Sequence, residues 1–207
     1  KGVIIEEINM YEDLPQRKVD DVYTELLHGD QPAGWTVLGK KDFIKKAKRK
    51  DFIAYRKKHY VPSATTVIVS GKVEFKRVLS LINKSMGMMY QGKKFGKLGT
   101  VEKQDTPEIA VEQKKTDQTH IILGVRTFPV SDKRGATLQV LNAVLGGGMS
   151  SRLFQKLRVE MGVCYYIYSG VNEYTDHGDF AISAGVDPKR VEEVFRVLVG
   201  ELNKLKT

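Results

Sequence analysis

A single cysteine stands among 207 residues. It can form no internal disulfide and anchor no cysteine-rich metal site. One Cys fits a reducing compartment such as the cytoplasm, without excluding an oxidising one. Long apolar runs are also missing. The longest charge-free stretch, Gly135 to Ser151, contains Thr, Gln, Asn, Ser and three consecutive glycines, so no membrane-spanning helix is expected. No signal peptide is visible. The four histidines, His28, His59, His120 and His177, are scattered. No two stand where one helix face would carry both as metal ligands, and each reads as structural or solvated. No serine sits in a nucleophile elbow. Cys164 has no activating base nearby in sequence and falls in an expected strand, which reads as a buried structural thiol.

What is present suits a folded protein. The apolar fraction of 41% excludes disorder. The net charge of +9 is uneven: residues 1–100 hold 20 Lys and Arg against 11 Asp and Glu, whereas residues 101–207 hold 14 of each. Lys40 to Lys58 alone carries ten basic and two acidic residues. With Phe43, Phe52, Tyr55 and Tyr60 interleaved, this segment is the candidate nucleic-acid face. The same aromatics fall at helical spacing, where core packing explains them better and the lysines become a solvated face.

Ile4, Ile8 and Tyr11 recur at helical spacing over residues 3–12, and Glu6 and Glu7 read alike as solvated positions on that helix. The start at Lys1, with no cap and no initiator Met, reads as that of a fragment, and the stop at Thr207 reads as a cut. Pro15 opens a second helix with Val19, Val22, Leu26 and Leu27 on one face, and Gly29 ends it. Two short helices follow, with Asp42 and Asp51 as expected N-caps. The β-branched run 64–70 reads as a buried strand, and Phe75, Val78, Ile82 and Met86 mark a further helix. Residues 88–106 read as a linker. The second half predicts strands at 109–115 and 119–127 and a helix over 135–145. Glycines 146–148 form a close-packed turn, since the Lys of a phosphate loop is absent. A further helix runs from Ser150 or Ser151 to about Met161. A hairpin follows from Val163 to Val186, turning near Asp176 to Gly178. Asp187 and Pro188 open a last helix with Val191, Val194, Leu198, Leu202 and Leu205 inward. Hairpins with helices between them predict an α+β fold of antiparallel sheets and packed helices.

Four segments in this order, VIIEEINMYEDLP, GWTVLGKKDF, DFIAYRKKHYVPSATTVIVSGKV and LGGGMSSRLFQKLRVEMGVCYYIYS, carry a resemblance. The chain resembles the pitrilysin/insulinase family of zinc metallopeptidases, the inverzincins, and most closely the shorter bacterial and processing-peptidase-like members. The resemblance covers nearly the whole chain. It implies residues 1–87 as the C-terminal half of a metal-bearing domain, 88–106 as a linker, and 107–207 as the N-terminal half of a second, substrate-contacting domain. The family binds zinc through two His of an H-x-x-E-H helix, with the intervening Glu as general base. A Glu several dozen residues later is the third ligand. The position matching that Glu is Glu7, with Glu6 left as the bland neighbour.

The family's second domain contributes an Arg and a Tyr seven residues apart, matched by Arg158 and Tyr165. The resemblance implies that Arg158 holds the substrate backbone and that Tyr165 donates to the developing oxyanion. On the residues alone they would read as a surface Arg and a core Tyr. Gly147 and Gly148 fall in the glycine stretch that lines the substrate region. Strand alternation puts Tyr166 on the face opposite Tyr165. No H-x-x-E-H occurs in these residues. The implied protein is therefore part of a zinc endopeptidase acting on peptides or proteins. This chain by itself is expected to be inactive and to bind no zinc, with the remainder of the polypeptide or a homologous subunit as partner. A non-catalytic subunit or scaffold of the same family is the alternative, and a basic nucleic-acid binder is the third reading.

Overall fold

The computed structural model describes residues 1–206. They form an α+β protein whose single sheet has three antiparallel strands in the order β1-β3-β2, with β1 Thr119–Thr127, β2 Cys164–Glu173 and β3 Gly178–Val186. The chain separates into two compact units. The first comprises Lys1–Lys40 and Gly99 onward, and the second is Lys41–Leu98.

In the first unit α1 (Gly2–Asp13) packs against α2 (Pro15–His28), and α2 lies on β1. Pro15 occupies the first turn of α2, where its missing N–H costs nothing, and Gly29 ends the helix at φ 69°. On the other sheet face sit α6 (Gly135–Gly146), a π-helical segment (Phe154–Glu160) and α7 (Val191–Asn203). Their buried Leu145, Leu157, Val194 and Leu198, with Leu153 just before the π-helical segment, share one core with Cys164, Ile167, Phe180, Ile182, Ala184 and Val186 of the hairpin. The strands β1 and β2 and the last helix form where the sequence pattern puts them, because the elements they pair with or pack on lie within this chain. Asp187 Oδ1 accepts from the Lys189 N–H, and Pro188 follows it, as the last helix requires.

The opposite sheet face carries a buried polar cluster that the sequence did not announce. His28 and His177 meet edge to face at 4.8 Å. Nδ1 of His177 lies 2.9 Å from an Asp176 carboxylate oxygen and 3.1 Å from the Thr100 hydroxyl, and Tyr174 stacks on its ring. Asp179 accepts from the Tyr23 hydroxyl at 3.2 Å and from the Asn172 amide at 3.1 Å. Arg126 donates to the Leu27 carbonyl at the end of α2. Burial, then His177 and Arg126 nearby, hold the His28 imidazole below the usual 6.5. A histidine with a depressed pKa favours the fold in its neutral form. That contribution is complete above pH 6.5 and is lost as pH falls below it, through the folded-state value. We therefore expect Tm to fall between about pH 7 and pH 5, and to fall less in His28→Gln. Thermal melts across that range check this; an unchanged slope in the variant refutes it.

The second unit holds α3 (Lys41–Lys46), α4 (Arg49–His59) and α5 (Phe75–Met86), and its buried apolar side chains are Ala47 and Val61. Several sequence expectations are corrected here. The run 64–70 forms no strand, and Ile68 is 85% exposed. In the first unit, 109–115 likewise stays irregular, with Ile109 87% exposed. A strand forms only where neighbours take up its backbone N–H and C=O groups. Neither segment pairs with another among the described residues. Phe43, Phe52, Tyr55 and Tyr60 are exposed, not packed into a core, and α5 buries none of its residues. Lys57 and Lys58 instead lie over the rings of Tyr90 and Phe95. Asp51 is not an N-cap: it sits inside α4, and its carboxylate accepts from the Lys48 N–H at 2.7 Å. Asp42 likewise lies inside the first turn of α3.

Candidate functional site

The sequence-matched pair Arg158 and Tyr165 comes together in the first unit. The chain leaves the π-helical segment, turns at Gly162 (φ 59°) and enters β2. Arg158 Nη1 donates to the Cys164 carbonyl at 2.6 Å, so the guanidinium is tied to the residue just before Tyr165. A guanidinium has five N–H donors, and this bond uses one of them.

A β-bulge decides where Tyr165 points. Cys164 pairs with Val186 and Tyr166 pairs with Gly185, which leaves Tyr165 as the extra residue of β2. With strict alternation back from Ile167, Tyr165 would face the core and Cys164 the other side. The bulge shifts the phase by one: Cys164 is buried and Tyr165 is 57% exposed. Tyr165 and Tyr166 then open onto one groove of about 360 Å³, lined also by Gln16, Thr116, Asp117, Gln118 and His120. This corrects the placement of Tyr166 on the opposite face. Alternation assumes an unbroken ladder, and the extra residue breaks it.

His120 of β1 and Tyr166 are the residues that sequence reasoning missed. Their Nδ1 and hydroxyl groups lie 2.9 Å apart and their rings stack at 5.9 Å. Burial lowers the affinity of His120 for a proton. Burial, followed by Tyr168 and Asp20, pushes the Tyr166 phenol up, so both groups stay neutral at pH 7. The one local signal was the doubled tyrosine at a strand entry. Cys164 is buried, and burial raises its thiol above the usual range despite Arg158 nearby, as suits a structural thiol.

The other expected site residues sit apart from this groove. Gly147 and Gly148 are exposed, and an added Cβ at Gly148 would meet nothing within 4 Å. Close approaches occur at Gly146, where a Cβ would collide with Ser169 of β2, and at Gly147, where it would lie 2.7 Å from Cα of Ala143. Glu7 lies exposed on α1, while its neighbour Glu6 accepts from the Asn9 amide at 3.5 Å. No three His, Cys, Asp or Glu side chains converge on a metal-sized site among the described residues. One carboxylate does not make a zinc site, so the residues present do not fit zinc by themselves.

These features define an α+β domain with an open polar groove and no metal centre among its described residues. Residues 46–207 match the family model described as the peptidase M16 inactive domain, and the chain belongs to the M16 peptidase family. The resemblance to the pitrilysin/insulinase zinc peptidases therefore stands. The chain is 32% identical to an uncharacterized zinc protease of Bacillus subtilis, covering 100% of this chain and 50% of that protein. It is 30% identical to one of Mycobacterium leprae, covering 96% and 45%. It thus spans about half the length of the curated relatives it matches. In fold it superposes on a peptidase M16 inactive domain from Pseudomonas fluorescens with a TM-score of 0.86 at 17% identity, over 98% of this chain and 49% of the other. A protease from Helicobacter pylori gives 0.86 at 24%, over 99% and 51%. No described helix is long and apolar enough to cross a membrane.

Proposed function

We infer that this chain supplies the substrate-contacting part of a zinc-dependent endopeptidase whose metal-binding His pair and general base lie outside these residues. The observation that carries this reading is Tyr165: a phenol on a bulge, 57% exposed, opening onto a polar groove beside an anchored Arg158. A peptide laid in the groove would place a carbonyl against the Tyr165 hydroxyl. The hydroxyl donates a hydrogen bond to that oxygen and donates more strongly as the oxygen becomes an oxyanion. Arg158 has N–H groups beyond the one held by Cys164, and these bind the substrate backbone. Gly147 and Gly148, exposed and apart from the groove, are assigned to the substrate region by the family resemblance alone. Glu7, exposed on α1, is the third zinc ligand in the complete protein. In that protein residues 1–87 complete the metal-bearing domain, 88–106 link the domains, and 107–207 open the second. The partner is the remainder of the same polypeptide or a homologous subunit.

A non-catalytic subunit is the second reading, favoured by the match to a domain described as inactive. Two measurements separate the readings. Equilibrium dialysis of this chain alone should show no stoichiometric tight zinc, since catalytic sites use three protein ligands. The full-length protein should cleave a fluorogenic peptide, lose that activity in EDTA and regain it with zinc. Full-length protein that binds zinc and cleaves nothing supports the second reading. Tight one-to-one zinc on the isolated chain, abolished by Glu7→Ala, shows the ligands to be misplaced.

A further inference from the structure

Across the sheet, His120 of β1, Gly185 of β3 and Tyr166 of β2 stand in one row, because Gly185 is the register partner of both others. Neighbouring strands lie about 4.8 Å apart, so two strands with one between them are roughly 10 Å apart. Yet the rings of His120 and Tyr166 stack at 5.9 Å and their polar atoms approach to 2.9 Å. They lean over the middle strand, and glycine is what lets them. A Cβ on Gly185 would run into Cε1 of Tyr166 and would stand 2.8 Å from Oε1 of Gln118. Gly185 has no positive φ, so the backbone does not demand glycine. The requirement is the space taken by the bridge.

The bridge has a position that matters. Tyr166 is the first residue after the bulge, and Tyr168 also stacks on its ring, at 5.9 Å. The Cys164 carbonyl, just before the bulge, is held by Arg158. Tyr165 is therefore fixed from both ends: by a guanidinium on one side and by the His120–Tyr166 pair on the other. A bulge is a place where a ladder can slip by one residue, and a slip would return Tyr165 toward the core.

We propose that His120 and Tyr166, bridged over Gly185, are positioning residues that hold the β2 bulge and so present Tyr165 to the groove. This rests on the reading of Tyr165 as the oxyanion donor. The two side chains act through Tyr165, and their effect exists only while Tyr165 has its hydroxyl.

A double-mutant cycle in the full-length, metal-loaded protein tests this. His120→Ala, Tyr166→Phe and Gly185→Ala should each lower kcat about 10- to 100-fold, since a displacement near 1 Å suffices for that. KM should stay within about twofold. His120→Asn, which keeps a polar atom near the position of Nδ1, should recover most of the loss. In a Tyr165→Phe background the same changes should lower kcat no further. Melting temperatures are recorded alongside. Should His120→Ala fail to fold, Tyr166→Phe removes a single oxygen and carries the same comparison. Losses that persist undiminished in the Tyr165→Phe background, or that track Tm without rescue by His120→Asn, overturn the proposal and leave the reading of Tyr165 intact. If Tyr165→Phe alone has full activity, that reading fails and the positioning role falls with it.

Discussion

Tyr165→Phe in the full-length, metal-loaded protein lowers kcat by roughly 100- to 1,000-fold, the usual cost of removing one oxyanion donor. KM moves much less, because the hydroxyl's bond strengthens chiefly as charge develops on the carbonyl oxygen. The structure sharpens what to expect of its neighbours. On the proposed reading, in which Arg158 holds the substrate backbone as well as the Cys164 carbonyl, Arg158→Ala raises KM as well as lowering kcat. Tyr166→Phe is not a neutral control, because both tyrosines open onto one groove. Bound zinc, measured by metal analysis, stays unchanged in all three variants. Near-normal kcat for Tyr165→Phe would remove this residue from the chemistry and point to another donor.

On the proposed reading that these residues belong to a longer protein, supplying the rest of the polypeptide slows hydrogen exchange at residues 65–69 by at least about 100-fold, since paired strand amides open with free energies of several kcal/mol. The reasoning compares two stretches of this chain. VIVSGKVEFKRVLSLI and AISAGVDPKRVEEVFRVL both run from a β-branched or small-residue strand pattern through a turn into an amphipathic helix pattern. In the second, β3 is the middle strand between β1 and β2, and Val194 and Leu198 of α7 are buried. In the first, Val67, Ile68 and Val69 are 44%, 85% and 47% exposed, and Phe75 and Leu81 of α5 are 74% and 55% exposed. A stripe this apolar left in water costs roughly 25 cal/mol for each Å² that could be covered. The relatives are about twice as long, and the additional residues are where we place the covering strands. Exchange at 65–69 is read by mass spectrometry on the isolated chain and on the full-length protein. Equal rates in the two would mean that this segment is not a sheet strand in the parent.

Most of the helices could be read from the sequence because each announces itself locally. Pro15 and Gly29 bound α2, Asp187 and Pro188 lead into α7, and apolar positions three and four apart mark the faces between. The β1 strand and the β2–β3 hairpin were legible for the same reason, since their alternating or β-branched runs meet partners within the chain. The α+β class follows from these elements, and the four ordered motifs carried the family. What the sequence could not decide was whatever depends on a distant partner. Residues 64–70 and 109–115 have strand composition, but a strand exists only where another backbone takes its hydrogen bonds. Tyr165 and Tyr166 are adjacent letters; one unpaired residue in a ladder turns both toward one groove. His28 and His177 stand 149 positions apart, and only the packing of α2 against the sheet brings their rings together. Local propensity and spacing determined the elements, whereas register and contact between remote segments, which no local pattern encodes, determined the site.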